Sequence, residues 1–203
     1  PTAAQTIDIV SSSTNDTNGG TGLNSVVITG IDANRDSQVE VVNMNGTTTV
    51  TTTSTWLGIN RVAPFLCGSG LTNAGTVTVD QSTSGIILAQ MPAGETVTQQ
   101  SIFYVQSNHT FLTSWLHINV VRLAGGGGDP LVTIRGYVWS PTANAKIQIF
   151  KAKLDTAVEN TVDLTPTEPF PITQNSVLYF TAQTDKDNTS VDLRFSGIQE
   201  RIS

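Results

Sequence analysis

The chain has 203 residues, a formal charge of −6 and 13% charged residues, about half the charged share usual in soluble domains. That length can bury a substantial core in one all-β domain or in two packed halves. The acidic balance, with a pI near 4.7, argues against broad binding to a phosphate backbone, and no stretch approaches the roughly 18 apolar residues of a membrane helix.

In chain order, residues 1–22 are polar and small apart from Ile7, Ile9 and Val10. They read as a short edge strand followed by a flexible N-terminal arm, Ser11–Gly22. An arm would reach a neighbouring subunit, but a plain surface loop is the stronger reading, and removal of residues 1–20 is expected to leave the fold intact while weakening assembly. Ser25–Asn60 sets the pattern for the rest. Two β-branched runs, Val26–Ile31 and Val39–Met44, flank the turn Asp32-Ala33-Asn34-Arg35-Asp36-Ser37, whose short polar side chains bond their own backbone. Asn45-Gly46 supplies a second turn. The threonine-rich stretch Thr47–Thr55 suits a pleated surface with one wet face. Together these segments predict a three-strand β-meander.

Further strands are expected at Trp56–Phe65, Gly75–Asp80, Ile86–Met91 and Ser101–Val105, separated by small polar turns. Thr110–Leu123 is the longest apolar stretch. Its β-branched and aromatic residues favour strand over helix, and alternation places apolar side chains on both faces, as in a central sandwich strand. After the flexible connection Gly125–Gly128, strands are expected at Leu131–Trp139, Lys146–Ala152, Thr161–Leu164, Val177–Ala182 and Ser190–Ile202. Asp155–Asn160 is the one place for a short helical turn. A loop with Pro166, Pro169 and Pro171 and a hairpin turn at Thr184–Asn188 complete the chain. The expected fold class is all-β: an antiparallel β-sandwich, jelly-roll-like, of about a dozen strands with little or no helix. Residues 23–203 then form one sandwich domain, or two packed halves meeting near 124–130.

The phrases VVITGIDANRDSQVEVVNMNGTTTVTTTSTWLGINRV, LTNAGTVTV, TFLTSW, LDTAVENTVDL and VLYFTAQTDKDNTSVDLRF resemble a family of virion structural proteins of tailed phages from marine and freshwater bacteria. The resemblance covers most of the chain and consists of turn-and-strand patterns. It implies a capsid-decoration or tail-associated β protein, located in the virion and made in the host cytoplasm, and it transfers no catalytic residue. Pro1–Ser13 has neither the basic start nor the apolar core of a signal peptide, in keeping with that origin.

Candidate sites each compete with a plainer reading. Asp32-x-Asn34-x-Asp36 begins like a calcium loop. Ser37 replaces the sixth-position glycine, however, and Asn43 the twelfth-position glutamate, with Glu40 placed in a strand, so an Asx-type turn is the better reading. In Asp185-Lys186-Asp187-Asn188 the lysine opposes a cation. His109 and His117 lie at opposite ends of a strand, roughly 26 Å apart at ~3.3 Å per residue, too far for one metal. Cys67 is the only cysteine, which leaves no intrachain disulfide and no cysteine-based zinc site, and it reads as a buried or half-buried thiol. Gly125–Gly128 lacks the GK[ST] of a phosphate loop. Trp56, Trp115 and Trp139 fall in apolar strands where core burial outweighs sugar stacking. The sequons at Asn15, Asn45, Asn108 and Asn188 arise by chance in an Asn/Thr-rich chain. The lysines, Lys146, Lys151, Lys153 and Lys186, all follow residue 145, and no basic stripe for DNA is visible.

No catalytic, cofactor-binding or metal residue is therefore assigned. The expected function is a non-enzymatic capsid decoration or cement protein. It would be a homo-oligomer, guessed to be a trimer, contacting capsid or tail proteins, with neither nucleic acid nor membrane as partner. The alternative is a receptor- or glycan-binding knob on a tail or vertex. A glycan-cleaving enzyme, which would bring two carboxylates within about 5–10 Å, stands third.

Overall fold

The structure is a computed structural model that describes residues 3–98, 100–123, 128–165, 169–187 and 189–202. Gly125–Gly127, Pro166 and Asn188 of the expected loops, turn and sequons lie outside these. Among the described residues there is no helix, and fifteen strands pair antiparallel throughout. The expected helical turn after Asp155 is one hydrogen-bonded turn, with Glu159 N donating to Asp155 O at 2.7 Å.

The chain divides into two compact units, Pro1–Gln100 and Ser101–Ser203. A single jelly-roll over 23–203 is not what forms. Among the described residues four small sheets do, two in each unit, and the expected seam near 124–130 falls inside the second unit. Repeated short strands with local turns give each unit enough partners to bury its own apolar faces.

In the first unit the strands are β1 (Ile7–Ser11), β2 (Leu23–Ile31), β3 (Ser37–Asn43), β4 (Val50–Thr51), β5 (Gly58–Cys67), β6 (Val77–Gln81) and β7 (Ile87–Met91). One sheet has the order β4-β1-β6-β7 and the other β3-β2-β5. The meander expected from Ser25 to Thr55 is thus only half formed. β2 and β3 pair, but Val50 pairs with Ile9 of β1 instead of returning to β3. Nor is β1 an edge strand, since it lies between β4 and β6. Both sheets contribute to one core, Ile7, Ile9, Val77 and Met91 from the first and Val26, Ile28, Ile59 and Val62 from the second, with Trp56 fully buried among them. Burying each such side chain contributes roughly 1.5–3 kcal/mol.

In the second unit the strands are β8 (Ile102–Tyr104), β9 (His109–Arg122), β10 (Leu131–Ser140), β11 (Ala145–Asp155), β12 (Thr161–Leu164), β13 (Phe170–Ile172), β14 (Val177–Thr184) and β15 (Thr189–Arg201). One sheet has the order β11-β10-β14-β8. In the other, β9 is central, with β12 and β13 along one side and β15 along the other. Simple alternation puts Phe111 and Ile118 on opposite faces of β9, yet both are buried. The register between β9 and β15 slips at Ser196/Gly197, leaving Ser114 as an extra residue, and such a bulge re-aims the strand. The two-sided apolar strand is therefore one whose inward face switches partway along.

Candidate functional site

The N-terminal segment expected as an arm is built into the first unit around Asp16, which is 0% exposed. Its carboxylate accepts hydrogen bonds from Ser11 Oγ at 2.5 Å, Leu23 N at 2.7 Å, Ala74 N at 2.8 Å and Gly75 N at 2.9 Å. Burial pushes this carboxyl up, but the Ser11 hydroxyl and the three amides overcome that and hold it below the ordinary aspartate value. Cys67 is half-buried, and burial, then the Asp16 charge, pushes its thiol above the usual range. That direction is opposite to what a reactive thiolate needs.

The Asp32 turn closes on itself. Asp32 Oδ1 accepts from Asn34 N at 2.8 Å and Asp36 N at 2.9 Å, which is the Asx-type arrangement. Glu40 turns its carboxylate to Thr53 N at 2.9 Å and Ser54 N at 3.0 Å, and so fastens the loop beside β3. Among the described residues no group of three or more His, Cys, Asp or Glu side chains could hold a metal.

In the second unit His109 Nδ1 contacts its own turn through Ser107 O at 2.7 Å, while His117 Nδ1 meets Asp163 Oδ1 at 2.5 Å and its ring stacks on Trp115 at 5.5 Å. The histidines are therefore separate, as their spacing requires. Among the described residues no hydroxyl or thiol hydrogen-bonds the His117 ring, so the pair lacks an activated nucleophile. Asp185 Oδ1 accepts from Leu131 N at 2.8 Å and serves its turn. An apolar cavity of about 290 Å³ lies between the two sheets, lined chiefly by Trp115, Leu116, Phe150, Phe170, Phe180 and Phe195. It offers shape and dispersion but almost no polar handle.

Three outward sheet faces remain. On β3-β2-β5, Val41, Val27 and Ala63 align across the strands, flanked by Val39 and Phe65. Val39 is 61%, Val41 46% and Phe65 63% exposed. On β4-β1-β6-β7 two carboxylates, Asp8 and Asp80, sit directly opposite each other. On β11-β10-β14-β8, register brings Trp139 opposite Lys146, Tyr137 opposite Gln148 and Tyr179, Arg135 opposite Lys151, and Thr133 opposite Lys153. Tyr137 and Tyr179 stack at 5.3 Å, and the Lys146 ammonium lies 4.0 Å from the Tyr137 ring centre. A hydrogen bond with Tyr179 holds the Lys146 ammonium above its ordinary value. A basic face is thus present that the sequence reading did not find, because pairing assembles it from residues 135 to 153. Trp139, expected in the core, is 38% exposed on this face, whereas Trp56 is buried as expected.

No family model, curated protein or solved structure matches this chain.

Proposed function

We propose that this protein is a non-enzymatic structural component of a phage virion, a decoration or cement protein that works through protein–protein contact. The observation that carries the reading is the apolar face of β3-β2-β5. Val39, Val41 and Phe65 stand in water on a sheet whose other side is the core of the first unit. Exposed apolar side chains scattered singly need no explanation, but Val39 and Val41 on β3 and Phe65 on β5 share one sheet face, with half-buried Val27 and buried Ala63 between them, and apolar side chains gathered on one face mark an interaction surface. Its frame is pinned from both ends, by Glu40 on the loop at 53–54 and by Thr98 Oγ1, which accepts from Val62 N at 3.1 Å. Such a face can bury area against a capsid protein without first paying to order itself. The polar, weakly charged surface elsewhere and the resemblance of the strand-and-turn phrases to virion structural proteins point the same way. Each unit is then a small two-layer β-sandwich, and the pair of them a contact module.

Sedimentation of the purified chain with emptied capsids tests this. Co-sedimentation that Val41→Asp with Phe65→Ser abolishes is expected; a chain that stays in the supernatant overturns the proposal.

A further inference from the structure

The charge of this chain is unevenly placed. Residues 1–100 contain two cations, Arg35 and Arg61, against seven carboxylates, a net −5 of the total −6. In the second unit, Arg135, Lys146, Lys151 and Lys153 share one outward face. Val132, Ile134 and Val138, the alternate residues of β10, point into the core, which fixes the four cations on the solvent side. The only acidic residue in the four strands of that sheet is Asp155, at the end of β11. Among the described residues none of the four cations is in an ion pair; Arg135 reaches only Gln183 Oε1, at 3.4 Å.

The first unit carries the complementary anomaly. Asp8 and Asp80 are direct cross-strand partners, an arrangement that is destabilising for like charges. Their sheet contains no Lys or Arg in any strand, and the nearest relief is a neutral one, the Thr51 hydroxyl donating to Asp8 Oδ1 at 2.5 Å. Burial, then the charge of Asp8, pushes the Asp80 carboxyl above its ordinary value. The pair is short of a cation that the sheet does not provide.

We propose that these two faces are partners in trans: the Arg135/Lys146/Lys151/Lys153 face of one copy docks on the Asp8/Asp80 face of another. Such an interface is heterologous, head to tail, and closes into a ring or runs on as a filament. A network of several charges with aromatic neighbours makes a firmer contact than isolated surface pairs, each of which contributes little. Lys146, already seated over Tyr137 and Tyr179, loses little side-chain freedom on docking. Association of this kind is steered by charge and weakens as salt shortens the screening length. The inference gives the contact protein proposed above a self-partner, and it is separable from that reading, since a chain that self-associates yet ignores capsids would sink the function and leave this intact.

Light scattering of the full chain over a range of concentrations tests it, with two charge variants. Lys151→Glu with Lys153→Glu cancels the charge of the basic face, leaving two cations against two carboxylates; Asp8→Lys with Asp80→Asn turns the acidic face basic. Wild type is expected to associate at low salt and dissociate at high salt, and each variant alone is expected to associate at least tenfold more weakly. An equimolar mixture of the two variants should recover association. Since Asp80 is half-buried, Asp8→Asn alone supplies a milder variant expected to weaken association in the same direction. A wild type that remains monomeric at low salt overturns the proposal. So does association that neither variant alters, or binding of a sulfated polysaccharide through the lysines without self-association, which would assign the face to a foreign polyanion.

Discussion

Asp16 and Ala74 are 58 residues apart in sequence, and the carboxylate of one accepts the amide of the other at 2.8 Å. That bond, with those to Leu23 and Gly75, ties Ser11–Gly22 into the scaffold that presents the apolar face. Replacing Asp16 with Ala orphans three backbone amides, and leaving buried donors unsatisfied costs about 1–3 kcal/mol each. Denaturant unfolding should show the first unit losing about 3 kcal/mol or more. Ser11→Ala, which removes one donor and leaves the amides paired, should cost roughly 1 kcal/mol. Deletion of residues 1–20 should unfold the first unit, because it removes the inner strand β1 as well as Asp16.

The same carboxylate sets a pH dependence. Asp16 and Glu40 are both held below their ordinary values in the folded chain, each despite the opposing effect of burial, by hydroxyl and amide donors. The unfolded chain therefore takes up protons first as pH falls. The stability these groups contribute is complete above the ordinary carboxylate range and is lost as pH drops through their folded values. Thermal melting across acid pH should show the first unit weakening in that window, and Asp16→Asn should flatten the slope.

Asp80 works with the opposite sign. Its carboxyl is raised by burial and then by Asp8, so its contribution is favourable at low pH, where it is protonated, and unfavourable once it ionises. Asp80→Asn should therefore raise the melting temperature at neutral pH and lose that advantage on acidification. The measurement belongs at low protein concentration, where self-association does not contribute.

Three register slips in the sheets coincide with glycine. A Cβ at Gly30 would lie 2.1 Å from Gly58 O, at Gly197 2.3 Å from Leu112 O, and at Gly136 2.8 Å from the Phe180 ring. Glycine admits the neighbouring backbone where a bulge brings it close. Gly30→Ala and Gly197→Ala meet unyielding carbonyls and should each cost about 1–3 kcal/mol or more. Gly136→Ala meets a ring that can shift and should cost less. Equilibrium unfolding of the three variants checks the order.

Much of this architecture is legible in the residues. Alternation in Gly75–Asp80 and Leu131–Trp139 places strands β6 and β10 within a few residues of where they form, because a half-buried strand must repeat every second side chain. The exposure of Trp139 was available too, since it shares parity with Thr133, Arg135 and Tyr137 and not with Ile134 and Val138. Pairing partners were not legible. Nothing in Thr47–Thr55 says that Val50 joins β1, and nothing in a Ser/Asn/Gly-rich segment marks Asp16 as a buried hub, since both depend on contacts made far along the chain. The basic face and the Asp8/Asp80 pair are likewise products of register, not of local composition.

The central claim is that the exposed face of β3-β2-β5 makes a protein contact within a virion. Its most direct test is a density map of intact particles assembled in the presence of this chain. The account predicts this chain on the particle with Val39, Val41 and Phe65 covered by a capsid or tail protein. A chain absent from the particle, or present with that face open to solvent, would contradict it.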